Sequence, residues 1–138
     1  AKNLSLLSNL KTPVIVIITG EGGSGGALAI GIGDHVCMLE HSIYAVASPE
    51  ACASIVWRDG SKAKDAAEAM KVDAPNLRNL GLVDEVIEEP LGGAHRDIRG
   101  VSNSISQVIE KKLLTFDEVD ISDLLKKRYE KIMSYGSI

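Results

Sequence analysis

The chain has 138 residues, the length of one domain or part of one. A hydrophobic fraction of 45% and a charged fraction of 25% are the ordinary globular balance, which excludes disorder over most of the chain. A net charge of −4 with no basic block argues against a nucleic-acid surface, and the longest apolar runs, Val14 to Ile18 and Ile43 to Ala47, are far too short to cross a membrane. Cys37 and Cys52 are two lone thiols without a CxxC pattern, so neither a disulfide scaffold nor a four-cysteine zinc site is expected. No signal-peptide pattern opens the sequence. It starts at Ala1, inside a helical pattern, which leads us to expect a fragment; the missing signal then carries no information.

Leu4, Leu7 and Leu10 stand at helical spacing, and Lys11-Thr12-Pro13 ends that helix. Val14 to Ile18 is a β-branched run without alternation, the pattern of a strand covered on both faces. A glycine-rich stretch, Gly20 to Gly26, leads into a short helix over Ala27 to Gly31. Val36 to Leu39 and Ile43 to Ala47 read as two further strands. Ser48-Pro49-Glu50 opens a helix: a capping hydroxyl, proline in the first turn, and an acid at the positive end of the dipole. It runs to Trp57 and stops at Asp59-Gly60; Ser61 is the expected cap of the next helix, whose stripe is Ala63, Ala66, Ala67 and Met70. Asp73 and Pro75 start another helix, which Gly81 ends. Val83 to Ile87 is the fourth strand, Pro90 to Gly93 a loop, and the remainder helical, with one stripe at Val101, Ile105, Val108 and Ile109 and another at Ile121, Leu124, Leu125, Tyr129, Ile132 and Met133. Core packing is the expected use of the second stripe, a partner surface the alternative; Lys126, Lys127, Arg128 and Lys131 are read as its solvated face. Strands alternating with helices give an α/β class, with a sheet thin enough to suggest a missing part.

The glycine stretch admits three chemistries. Gly20-x-Gly22-x-x-Gly25, with Glu40 twenty residues after Gly20, matches the dinucleotide fingerprint, but the segment from the loop to the next strand is short for a parallel crossover. Gly22-x-Ser24-x-Gly26 matches a nucleophile elbow, yet the only later base outside the second strand pair is His95, with Asp97 too near it to be the usual orienting acid. The third reading uses backbone: glycines around one serine leave N–H groups unshielded at a helix start, suited to a carbonyl oxygen that gains negative charge during reaction. Paired glycines, Gly22-Gly23 and Gly25-Gly26, favour this third reading over a packing turn.

The run Gly20-Glu21-Gly22-Gly23-Ser24-Gly25-Gly26-Ala27-Leu28-Ala29-Ile30-Gly31 resembles the signature of the carboxyltransferase α subunits of multisubunit acetyl-CoA carboxylases. The likeness continues through Ser48-Pro49-Glu50-Ala51-Cys52-Ala53-Ser54-Ile55-Val56-Trp57, Ala66 to Met70, Glu89-Pro90-Leu91-Gly92-Gly93-Ala94-His95-Arg96 and Met133-Ser134-Tyr135-Gly136. It implies a crotonase-like spiral of short strands and helices, here the C-terminal half of the core over residues 1–96 with a helical extension over 97–138. It implies transfer of CO2 from carboxybiotin on a carrier protein to acetyl-CoA, giving malonyl-CoA for fatty acid synthesis. It implies a β partner that carries a four-cysteine zinc site, an α2β2 assembly with the active site between the chains, and a cytoplasmic or plastid setting. Gly25 and Gly26 are then the catalytic oxyanion donors, Gly22, Gly23 and Ser24 the substrate-side loop, and the chain itself binds no metal. The family's first half is absent from this sequence. Two rivals stand beside this reading: another crotonase-fold acyl-CoA enzyme, and a non-catalytic fragment that only docks a partner.

Other residues are read more plainly. His35, Cys37 and His41 share strand parity, but a core cysteine with surface histidines is expected rather than a metal site. His95 and Arg96 are equally suited to an anion or to solvent, and Glu21 to steering the loop or capping it.

Overall fold

The structure is a computed structural model that describes residues 2–136; the place of Ala1 in the first helix lies outside the described residues, as does the side chain of Ile30. Helix α1 (Lys2–Ser8) precedes β1 (Ile15–Ile18), β2 (Glu21–Gly23) and α2 (Ser24–Ile30). Then come β3 (His35–Leu39), β4 (Ile43–Ala45), α3 (Pro49–Trp57), a 3₁₀ turn at Gly60–Lys62, α4 (Ala63–Met70) and α5 (Ala74–Asn79). Strand β5 (Glu85–Ile87), a second 3₁₀ turn at Ala94–Arg96, α6 (Ile98–Asp117) and α7 (Ile121–Ser134) complete the order.

Two small parallel sheets organise the chain. The first has the order β1-β3-β5, with Ile15 opposite His35 and Cys37 opposite Glu85. The second pairs β2 with β4, Gly22 opposite Tyr44. Every residue of the central strand β3 is buried, so both its faces are covered. Val36 and Met38 meet Ile18, Ala74, Leu77 and Val83 on one face. Cys37 and Leu39 meet Ile87 and Val101 on the other, where α6 lies. The expected helix starts at Ser48 and Asp73 hold: each side chain accepts from a first-turn backbone N–H, of Ala51 and Asn76.

Several expectations are corrected. The sequence predicts about four strands and five form among the described residues, because the glycine stretch itself supplies β2 through parallel pairing with β4. The crossover objection to a dinucleotide loop fails, since β1 and β3 are parallel neighbours and the whole of residues 19–34 makes the connection. Ser61 does not cap α4; Asp59 accepts from the Ser61 N–H and Oγ to close the 3₁₀ turn, and Lys62, without a capping bond, precedes α4.

Helix α7 carries the largest correction. Arg128 is not on a solvated face but is 2% exposed. Its Nε and Nη2 donate to the two Asp34 oxygens at 2.8 and 2.7 Å. Its remaining donors reach the carbonyls of Leu7, Ser8, Leu10 and Thr12. Asp34 also accepts from the Val14 N–H at 2.7 Å. Lys131, four-fifths buried at its side chain, bonds Asp84. The inward face of α7 is thus Leu124, Arg128 and Lys131, while Tyr129 and Met133 of the expected apolar stripe are 65% and 61% exposed.

Candidate active-site loop

The glycine stretch leaves β1 at its carboxyl end, runs extended through β2 and turns into α2. Gly23 caps α2 in an extended conformation with no side-chain bond. The first N–H groups of any α-helix have no acceptor within it. The amides of Ser24, Gly25 and Gly26 are therefore offered to whatever approaches. Ser24 holds φ at 52°, a left-handed conformation that is costly for a residue with a Cβ. It sets the sharp change of direction between β2 and α2.

Among the described residues, no contact requires glycine at 25 or 26. Neither backbone is left-handed, and a Cβ at either would meet nothing within 4 Å. Both residues are exposed. Gly31 and Gly33 differ: a Cβ there would strike the Tyr44 hydroxyl at 2.8 Å and the Val16 side chain at 2.6 Å. Packing explains those two, and open space lies in front of Gly25 and Gly26. Tyr44 fastens the loop from behind, its hydroxyl donating to the Ala27 carbonyl at 2.6 Å, with burial raising its pKa. This bond from β4 was not foreseen, because the pairing of β2 with β4 has no signature in a glycine run.

Two hollows flank the loop. One of about 420 Å³ is lined by Glu21, Gly22, Gly23, Ala45, Ser48 and Met70 among others. The other, about 260 Å³, is lined by Ser24, Ala27, Leu28, Tyr44, Val46 and Leu82 among others. The structure so separates the expected loop residues: Gly22 and Gly23 face the first hollow, Ser24 faces the second, and Gly25 and Gly26 open the first turn of α2.

The rival readings lose their geometry. No histidine or acid lines the hollow at Ser24, and its hydroxyl makes no hydrogen bond among the described residues. Asp97 caps α6 by accepting from the Gly100 N–H, and His95 is exposed in its 3₁₀ turn, so no triad forms. Gly22 sits in a strand rather than in a dinucleotide turn, and Glu40 accepts from the Glu89 N–H. Glu89 in turn accepts from the His41 and Ala94 N–H groups, fixing the loop of Gly92 and Gly93 to the end of β3. Glu21 is exposed and caps nothing among the described residues. No helix is long and apolar enough to cross a membrane among those residues.

His35 corrects the expectation of surface histidines. It is 8% exposed, its Nε2 lies 3.1 Å from Glu85 Oε2, and its Nδ1 lies 3.7 Å from Asp84 Oδ2. Burial lowers its pKa against the opposing pull of the Glu85 bond. Burial also pushes the Cys37 thiol up to about 11, with Glu85 and Asp84 adding to the effect. His41, by contrast, is exposed in a turn, as expected.

The family model described as acetyl co-enzyme A carboxylase carboxyltransferase-like matches residues 1–136. The acetyl-coenzyme A carboxylase carboxyl transferase subunit alpha of Vibrio cholerae serotype O1 is 55% identical over 99% of this chain and 43% of its own length. That of Vibrio parahaemolyticus serotype O3:K6 is 54% identical over the same shares. The chain thus spans less than half the length of these relatives. Among solved structures, a Pseudomonas malonate decarboxylase hetero-tetramer in complex with coenzyme A superposes with a TM-score of 0.59 at 16% identity, over 91% of this chain and 49% of that one. Transcarboxylase 12S, with methylmalonyl-coenzyme A bound, gives 0.54 at 21% identity, over 77% and 23%. At such identities the likeness shows the fold, a crotonase-like α/β arrangement.

Proposed function

We infer the function from one premise: this chain belongs to the acetyl co-enzyme A carboxylase carboxyltransferase-like family. We propose that it supplies half of an α subunit that carries out carboxyl transfer between biotin and acetyl-CoA, giving malonyl-CoA at the start of fatty acid synthesis. The observation that carries the reading is the open space before Gly25 and Gly26, whose glycines no contact or backbone strain within the chain requires.

Their N–H groups are the oxyanion donors in this reading. A carbonyl oxygen that gains negative charge is held by two amides already oriented before it arrives, which is where such donors have their largest effect. Without a Cβ at either position the two amides stay open to a small carbonyl-bearing group, which supports this reading. Carboxybiotin, borne on a carrier protein, supplies the carboxyl group. Gly22, Gly23 and Ser24 shape the approach on the substrate side, with Ser24 acting through its backbone. The partners in this reading are the carrier protein and a zinc-bearing β subunit in an α2β2 assembly, in a cytoplasmic or plastid setting; Leu28, Val46, Ile55 and Val56 are exposed apolar residues available to such contacts.

The test is malonyl-CoA-dependent carboxylation of a free biotin analogue, using the chain alone and with the β subunit. Activity with the β subunit supports the proposal. Silence there, persisting when the upstream coding sequence is restored, overturns it in favour of a docking role. Running acetyl-, propionyl- and malonyl-CoA side by side separates it from another acyl-CoA chemistry.

A further inference from the structure

On the α6 face of the first sheet, away from the glycine loop, two buried side chains of β3, His35 and Cys37, meet the partly buried Glu85 of β5, with Asp84 at the rim. Parity places His35 and Cys37 on one face of β3, and the parallel register sets Glu85 of β5 directly opposite Cys37. One ligand atom from each of His35, Cys37 and Glu85 lies within 4.8 Å of the others. We propose that His35, Cys37 and Glu85 form a binding site for one divalent metal ion of the zinc class, a site separate from the carboxyltransferase loop.

Four features support it. The donors are an imidazole nitrogen, a thiol sulfur and a carboxylate oxygen, the set zinc prefers. Ligands at about 2.0–2.3 Å from a tetrahedral ion stand roughly 3.3–3.8 Å apart, so the side chains need move inward by only about 1 Å. The His35 Nε2 already stands 3.1 Å from Glu85, while Asp84 lies 3.7 Å from Nδ1, just beyond hydrogen-bond distance and within a small shift of the outer position that orients metal-bound histidines. Asp84 is itself fixed by the Val36 N–H at 2.7 Å and by Lys131. Finally, a dication with one thiolate and one carboxylate makes a centre of zero net charge, the form least costly to bury. The thiol proton leaves to solvent as the sulfur–metal bond forms.

Glu85 also lines an open hollow of about 340 Å³ with Ser104, Gln107 and Lys111, the side from which an ion would enter. The cations facing the cluster are Lys131, committed to Asp84, and Lys112 on α6. The result would be a clip between β3 and β5. In the sequence Cys37 and His35 share strand parity with His41; the fold substitutes Glu85 for His41, a choice set by strand order and invisible in the spacing.

The test is titration of the chain with cobalt(II), then zinc. The expected result is one equivalent bound, with a near-ultraviolet thiolate-to-cobalt band that zinc displaces. Cys37→Ala removes that band, whereas Cys52→Ala and His41→Ala keep it. Glu85→Gln weakens binding by more than about tenfold, the least that even outer partners cost. X-ray absorption on the zinc-loaded unmutated chain reads the site without any variant: one sulfur at about 2.3 Å with light atoms at about 2.0–2.2 Å is expected. A shell of light atoms alone, no band at one equivalent, or a band that survives Cys37→Ala overturns the proposal.

Discussion

At the scale of single residues, the contrast between Gly26 and Ser24 decides the chemistry. A Cβ at 26 meets nothing within 4 Å among the described residues, so Gly26→Ala, and with it Gly26→Val, should leave the midpoint of urea unfolding nearly unchanged. Gly26→Val should nevertheless lower carboxyl transfer by at least about a hundredfold, the scale of one lost oxyanion donor. Ser24→Ala keeps the amide and should retain most activity; complete loss there would return the hydrolase reading. Arg128 tests stability instead. Arg128→Met strands Asp34 without its ion-pair partner in the interior, and breaking such a pair costs about 3–5 kcal/mol. Chemical denaturation of the variant measures that loss, and a change under 1 kcal/mol, roughly the worth of an exposed pair, would mean the clamp is not formed.

Among the elements, α3 gives the cleanest test of local coding. Ser48→Ala removes the bond to the Ala51 N–H and should destabilise by about 1 kcal/mol. Because Ser48 also lines the hollow beside Gly22 and Gly23, a drop in transfer larger than the stability loss explains would place substrate there. Such cap signals are local, as are the apolar runs, and so α3, α5, β1 and β3 were legible in the sequence. Strand β2 was not: Glu21-Gly22-Gly23 has no strand propensity, and only pairing with Ile43 to Ala45 extends it. The inward face of α7 was half legible. Arg128 stands four residues after Leu124 and so shares its face, but the lysines around it made the helix side look solvated. The glycine loop was legible as a composition; the emptiness before Gly25 and Gly26, and the meeting of Glu85 with Cys37, depend on strand order.

For the molecule as a whole, the response to pH follows from groups that burial or caps perturb. Burial pushes Tyr135 up from 10.0 to about 12. The folded state then holds a proton that the unfolded state has lost, so stability should fall as pH rises across that window. Tyr135→Phe should flatten that limb of a plot of urea midpoint against pH; an unchanged slope would refute the assignment. The acid limb has the opposite cause. Asn76 bonds hold Asp73 below 3.8, so its contribution is present above that value and is lost as pH falls through the lowered one.

The Arg128 clamp also bears on how the chain is made. Its guanidinium joins partners separated by 94 residues at Asp34 and 121 at Leu7. Synthesis runs from the amino end, so the segment from α1 to the start of β1 is exported long before the side chain that fastens it. On the ribosome that segment waits without the guanidinium that fastens it, and a protease has its longest opportunity there. Pulse-chase proteolysis of arrested nascent chains should show cleavage near Leu10 to Thr12 until residue 128 has left the exit tunnel, and protection directly afterwards.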